Sequence, residues 1–314
     1  MRPGKELDGA YLVVVGSSAG GVEALVRLVA ALPSDFPAPI IIAQHADPRT
    51  PSHLAEILQR QTNMRIVTVD SEHEPSPHTI YLTPPGRNVA IRDARVMASG
   101  RLTDHPVPSI DALFVSAAEN YGDRLIAIIL TGMGTDGVAG VRAVKEYGGT
   151  VLVQEPESAA FPALPAAIPL SYVDYRTNLE SLAPLLVTLT AGPRDADITN
   201  PDVLNAFLAQ LRGRTGIDFR QYKTPTIVRR LSRLMATAGC DTLKDYLRHL
   251  TVHPDAYQRL ISTFLIKVTE FFRDSALFGY LSETVLPEII EEARKTHSEL
   301  RLWSAGCATG EEAY

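Results

Sequence analysis

The chain has 314 residues, of which 45% are hydrophobic and 21% charged, and its formal net charge is −6. This is the composition of a globular protein long enough for two cores, and the acidic balance excludes the overall basic field that nucleic-acid partners require. No apolar run reaches the roughly 18 residues of a membrane span, and the two cysteines, Cys240 and Cys307, have neither disulfide-framework nor zinc-ligand spacing.

Met1 to Lys5 followed by an apolar run has the outline of a signal peptide, but Glu6 and Asp8 interrupt it. The run instead reads as a strand, and a reducing cytoplasm is the expected compartment. Tyr11 to Val15 is β-branched and apolar enough for a buried parallel strand, and Val22, Leu25, Val29 and Leu32 then repeat at helical spacing. Between them lies Gly16-Ser17-Ser18-Ala19-Gly20-Gly21, which two readings fit. Ser18 is the centre of a Gly-x-Ser-x-Gly turn that lifts a hydroxyl above the sheet, with unpaired helix N–H groups near Ala19 and Gly20 placed to hold an oxyanion. Gly16-x-Ser18-x-x-Gly21 is equally a degraded dinucleotide fingerprint that would cradle phosphate.

The next elements bear on that choice. Pro39 to Ala43 is a second apolar strand ending in Gln44-His45, where a dinucleotide site would carry an acidic residue for the ribose. An imidazole there can instead meet the Ser18 hydroxyl and take its proton. Thr50 and Pro51 are expected to open a helix lined by Leu54, Ile57 and Leu58. Short extended pieces follow at 79–83 and 88–92, then a helix over 109–120. The strand at 124–131 runs into Gly132-Met133-Gly134-Thr135-Asp136-Gly137. Three strands therefore end in Ser18, His45 and Asp136, the groups of a nucleophile, base and orienting carboxylate. The plainer role for Asp136 is to cap the following helix. The order Ser, His, Asp is not that of the α/β-hydrolases.

Taken together, Gly16 to Gly21, Gln44-His45, His105-x-x-Pro108-Ser109-Ile110-Asp111-x-Leu113-Phe114 and Leu130 to Gly137 resemble the catalytic domain of the chemotaxis protein-glutamate methylesterases, the CheB family, over about residues 8–190. The resemblance implies an α/β domain with a doubly wound, mostly parallel sheet and no cofactor. It implies hydrolysis of glutamate γ-methyl esters on the cytoplasmic helices of methyl-accepting chemotaxis-type receptors and, in many members, deamidation of receptor glutamines. Ser18, His45 and Asp136 fall on the family's catalytic positions, and Ala19, Gly20 and Met133 on its oxyanion and active-site loops. Family members commonly begin with a receiver domain, whereas this chain opens almost directly on the first catalytic strand. Phe161-Pro162-Ala163-Leu164-Pro165 replaces the usual glycine-methionine-proline turn.

Residues 193–200, rich in turn formers, read as a linker closing a catalytic domain over 1–192. Helices are expected near 201–212, 225–238, 241–251 and 254–266. The second carries Arg229, Arg230 and Arg233, a stripe that in an acidic protein could dock an acidic helix. Thr269, Phe272 and Arg273, followed by Leu300 to Glu311 with its glycine turn, resemble the chemotaxis receptor methyltransferases, the CheR family. That resemblance implies an all-α domain over 201–284 and the start of a Rossmann-like domain over 285–314. Thr269, Phe272, Arg273, Gly306, Gly310 and Glu311 would approach S-adenosylmethionine, and the arginine helix would meet the receptor. With so few strands after residue 300, methyl transfer is not expected of these 314 residues. Two rival readings stand beside the esterase: a non-enzymatic receptor-binding module, and a nucleotide-binding protein using the Gly16–Gly21 turn.

Overall fold

A computed structural model describes residues 11–46, 52–84, 86–99, 108–191, 196–222, 224–264, 275–296 and 299–304. The apolar run after Tyr11 forms β1 (Leu12–Ser17), followed by α1 (Gly21–Ala30), β2 (Ile40–Gln44) and α2 (Leu54–Gln59). The cap expected at Thr50 and Pro51 lies outside the described residues; α2 opens after His53. The chain continues through β3 (Arg65–Thr68) and β4 (Thr79–Leu82) to an antiparallel hairpin of β5 (Asn88–Arg92) and β6 (Arg95–Ser99). Next come α3 (Ile110–Tyr121), β7 (Leu125–Ile129), α4 (Val138–Glu146), β8 (Thr150–Gln154), α5 (Ala163–Ala167), β9 (Tyr175–Thr177) and α6 (Leu179–Thr190).

Seven strands form one parallel sheet in the order β3-β4-β2-β1-β7-β8-β9. The period of two along each strand divides the core. Leu12, Val14, Ile41, Ala127 and Val151 pack against Leu113, Phe114, Val141 and Val144 on one face. Val13, Val15, Ile42, Ile128 and Leu152 pack against Leu25, Leu28, Leu182 and Leu186 on the other. Both faces are therefore covered by helices, as an all-parallel sheet requires. From β1 the chain winds outward on one side to β2, β4 and β3, then returns to β7 on the other. The order reverses at β1, so the crevice above the carboxyl ends of β1 and β7 is the switch point where open α/β sheets bind ligands.

Residues 196–199, expected within a linker, form a 3₁₀ turn whose Ile198 is buried. Burial in an apolar cluster makes this turn part of a packed body. It leads to α7 (Pro201–Thr215), α8 (Thr224–Thr237), α9 (Leu243–Val252) and α10 (Pro254–Phe264). Leu204, Phe207, Phe219, Leu231, Tyr246, Leu260 and Phe264 form their core. Each helix presents apolar residues at i, i+3 and i+4, which is why the sequence placed all four.

The chain divides into two compact units, Met1–Ile266 and Lys267–Tyr314, so the sheet and the four-helix segment belong to one unit. The division falls earlier than the boundary expected after residue 284. Within the second unit, α11 (Ser275–Tyr280) runs through a π-helical turn, Leu281–Val285, into α12 (Leu286–Thr296). Residues 299–304, at the start of the segment read as the opening of a Rossmann-like domain, form no strand, and Trp303 is 90% exposed. A single extended segment without a paired neighbour has no ladder to hold it. Among the described residues no helix is long and apolar enough to cross a membrane.

Candidate active site

Ser18 follows the last residue of β1 and precedes the first turn of α1. Gly20 between them has φ 73°, the left-handed region that favours glycine, and this bend turns a buried strand into a helix within three residues. The Ser18 N–H donates to the Thr131 carbonyl beyond β7, fixing the turn across the switch-point crevice. Ser18 Oγ lies 3.1 Å from His45 Nδ1, and His45 Nε2 lies 2.8 Å from Asp136 Oδ2. The imidazole and carboxylate side chains are only 14% and 11% exposed. The carboxylate can only accept, so the ring proton sits on Nε2, leaving Nδ1 bare to accept the Ser18 hydroxyl proton.

Asp136 does not cap the helix that follows it. α4 starts from Gly137 without a side-chain cap, while Asp136 turns back onto the N-terminus of α3. There it accepts from the backbone N–H groups of Ile110 at 2.7 Å and Asp111 at 3.0 Å, and from Ser109 Oγ at 3.3 Å. Burial alone raises the Asp136 pKa, but the His45 hydrogen bond and the N–H groups of Asp111 and Ile110 outweigh it and hold the carboxyl below its ordinary value. Asp111 makes the reciprocal contact, its Oδ1 accepting from Gly137 N at 2.9 Å and Gly140 N at 2.6 Å at the start of α4. Burial raises the Asp111 pKa, and the neighbouring Asp136 charge adds to that rise. Two helix N-termini thus exchange carboxylates, and the exchange fixes the oxygen that orients His45.

A second network joins nucleophile to base. Gln44 Nε2 donates to the carbonyls of Ser18 and His45, both at 2.8 Å, and Gln44 Oε1 accepts from Ser17 Oγ at 2.6 Å. Ser17 is fully buried, so the adjacent hydroxyl serves this network and does not face the crevice. A Cβ on Gly21 would come within 1.9 Å of Gln44 Oε1, so glycine there is what lets the amide reach across. Gln44 and Asp111 lie inside the motifs read from the sequence, where neither carries an assigned role. The available signal was a polar side chain ending a buried strand and an acid in the first turn of a helix.

The N–H groups of Ala19 and Gly20 donate no hydrogen bond among the described residues and sit beside Ser18, as an oxyanion site needs. Met133 lies on the loop after β7 and is 59% exposed. The 161–165 segment that departs from the family turn is held in place. Phe161 N donates to Thr131 Oγ1 at 2.8 Å, Gly132 N to the Phe161 carbonyl, and Leu164 is buried. Beside His45 opens a cleft of about 280 Å³, walled by Val22, Gln44, Leu54, Ile57 and Thr83.

The arginine stripe is elsewhere and is corrected by the structure. Arg230 and Arg233 are each 6% exposed and Arg229 is half-buried, so none forms an open face for a receptor helix. Their acceptors lie within the chain, where burial beside polar partners holds them inward. Thr269, Phe272, Arg273, Gly306, Gly310 and Glu311 lie outside the described residues.

Residues 13–186 match the CheB methylesterase family model. The chain belongs to the CheB methylesterase family. A crystal structure of the Thermotoga maritima CheB methylesterase catalytic domain superposes with a TM-score of 0.54 at 31% identity, covering 57% of this chain and 98% of that one. A putative protein-glutamate methylesterase/protein-glutamine glutaminase of Leptospira interrogans is 36% identical over 180 residues, 56% of this chain and 93% of that protein. An uncharacterised 104.1 kDa protein of Rhodobacter capsulatus is 33% identical over 292 residues, 83% of this chain. The chain spans only 30% of that relative's length. Beyond the CheB region, residues 202–265 match the all-alpha domain of CheR methyltransferases and residues 267–314 match their SAM binding domain.

Proposed function

We propose that residues 1–192 act as a cofactor-independent protein-glutamate methylesterase, with Ser18, His45 and Asp136 as its catalytic residues. The observation that carries this reading is the continuous hydrogen-bonded chain from Ser18 Oγ through His45 to Asp136 at the switch point of a CheB-family sheet. Ser18 Oγ attacks the ester carbonyl of a glutamate γ-methyl ester while His45 Nδ1 takes its proton. The oxyanion is held by the N–H groups of the Ala19–Gly20 turn, which donate no hydrogen bond among the described residues. Collapse breaks the bond to the methoxy oxygen, which leaves as methanol with the proton from His45. A water then attacks the acyl-serine, His45 again moving the proton, and glutamate and Ser18 are released. Asp136 holds the imidazole and stabilises its charged form throughout.

The substrate is the cytoplasmic helical region of a methyl-accepting chemotaxis-type receptor, and the compartment is the cytoplasm. The exposed apolar side chains of Val22, Met133 and Phe161, on segments bordering Ser18, support a protein helix as the substrate over a small polar ester. Receptor glutamine is a second substrate of the same site, with ammonia leaving in place of methanol. A nucleotide-binding role for the Gly16–Gly21 turn gains no support, since its hydroxyl is engaged by a base and the residue after β2 is His45, not an acid.

The test is methanol release from methylated receptor. Ser18→Ala is expected to lower the rate by at least about 10³-fold, and a serine-reactive phosphonate is expected to label wild type at Ser18 only. Full turnover in the variant, or no labelling of the wild type, would refute the assignment.

A further inference from the structure

The amino ends of the strands, opposite the catalytic edge, carry a polar constellation that the esterase chemistry does not use. Arg233 of α8 stacks its guanidinium 4.7 Å from the ring centre of Tyr11, which immediately precedes β1. Its Nη1 donates to Thr150 Oγ1, at the start of β8, at 2.5 Å, and its Nη2 to the Asp123 carbonyl, just before β7, at 3.2 Å. Arg229, one turn earlier, pairs with the Asp123 carboxylate. Three adjacent strands, β1, β7 and β8, thus offer acceptors or a ring to a single helix. Arg230 points the other way and donates to the carbonyls of Thr263 and Phe264, the last turn of α10, at 2.8 and 3.1 Å.

Such burial is unfavourable unless the contacts are used. Burial and mutual repulsion lower the Arg229 and Arg230 pKa values, and the buried Nε atoms of Arg229 and Arg233 have no hydrogen-bond partner among the described residues. A helix whose only duty was to fill the four-helix core would keep these heads in water, as long basic side chains ordinarily do. Here the same helix also buries Ile227, Leu231, Leu234 and Met235 in that core. It is therefore engaged on two sides, by the helical core and by the sheet edge.

We propose that α8 is an intramolecular clamp: Arg229 and Arg233 fasten the four-helix segment to the amino edge of the esterase sheet, so the two fold and melt as one body. The partner of this arginine face is the chain's own Tyr11, Asp123 and Thr150. Because the clamp lies at the opposite end of the strands from Ser18, the clamped helices do not control access to the nucleophile.

Removing acceptors on the sheet side tests this without altering the helical core. In the full chain, calorimetry with hydrogen exchange assigning each transition should show wild type melting once. Asp123→Ala with Thr150→Val should show two transitions, the α7–α10 one displaced downward by roughly 5–10 °C. Thr150→Ser, which keeps the hydroxyl, should melt once as wild type does. Phosphonate labelling of Ser18 should proceed at the wild-type rate in both variants. A single transition with an unmoved midpoint in the double variant, or two transitions in wild type, would overturn the clamp. Slowed labelling in a variant that still melts like wild type would overturn the separation of clamp from site. Absence of labelling in wild type would instead count against the esterase assignment and leave the clamp to the melting result.

Discussion

The two ends of the same seven strands are built by different means. At the carboxyl ends, side chains on the segments after β1, β2 and β7 are linked in series, Ser18 to His45 at 3.1 Å and His45 to Asp136 at 2.8 Å, and backbone N–H groups of α3 hold Asp136. At the amino ends, long arginines reach from a helix distant in sequence and engage one carboxylate, one hydroxyl, one carbonyl and one ring. Geometry at the first edge serves bond-making, where a misplacement of about 1 Å can cost 10²-fold in rate. Geometry at the second serves adhesion, where contacts can shift with little loss. Asp136→Asn breaks this comparison hardest. It leaves the shape but replaces the charged, acceptor-only carboxylate with an amide that can donate, so the His45 tautomer is no longer fixed and kcat for methanol release should fall by about 10³–10⁴-fold with KM little changed. A loss below about tenfold would remove Asp136 from the catalytic set.

A substitution in the helical core should do the reverse. Leu231→Ala empties a fully buried position in the four-helix cluster and should destabilise the chain by about 2–5 kcal/mol in urea unfolding. Initial esterase rates at low temperature should stay near wild type. If stability is unchanged, the cluster is not the core described above.

What the sequence made legible follows the same division. Strands β1, β2 and β7 could be read because each is an unbroken apolar run, β1 and β7 leading into glycine turns and β2 into Gln44-His45, and the segments after them carry Ser18, His45 and Asp136. The four helices could be read because their apolar period is strong. The direction of Arg229, Arg230 and Arg233 could not be read, because burial against Asp123 and Thr150 depends on how two segments pack, and no spacing records that. Gln44 and Asp111 lay in plain view but untasked, since their partners are backbone groups and a sequence names only side chains.

Those two residues give a finer test. Gln44→Ala should remove the bridge between the Ser18 and His45 carbonyls and lower kcat by roughly 10–100-fold, well short of the Asp136 effect. Gln44→Glu keeps an acceptor for Ser17 but loses the donor to both carbonyls, so it should resemble the alanine variant. If Gln44→Glu behaves as wild type, the donated bonds are not what positions the pair.

The smallest effect separates the exchanged carboxylates from each other by pH. Asp136 has a folded pKa below its unfolded value, near 3.9 for an ordinary aspartate, so its contribution to stability is present above that pH and lost as pH falls through the folded value. Asp111 has a raised folded pKa, so folding favours its protonated form. Its contribution is present at acid pH and lost as pH rises through the raised value. Asp136→Asn should therefore flatten the acid limb of stability against pH. Asp111→Asn keeps an acceptor oxygen for Gly137 and Gly140 but cannot ionise, so it should steepen the rise of stability with pH and be tolerated best at neutral pH. Urea midpoints from pH 2 to 7 measure both. Equal slopes in the two variants would mean that the two helix N-termini hold their carboxylates alike, and that the His45 hydrogen bond does not set Asp136 apart.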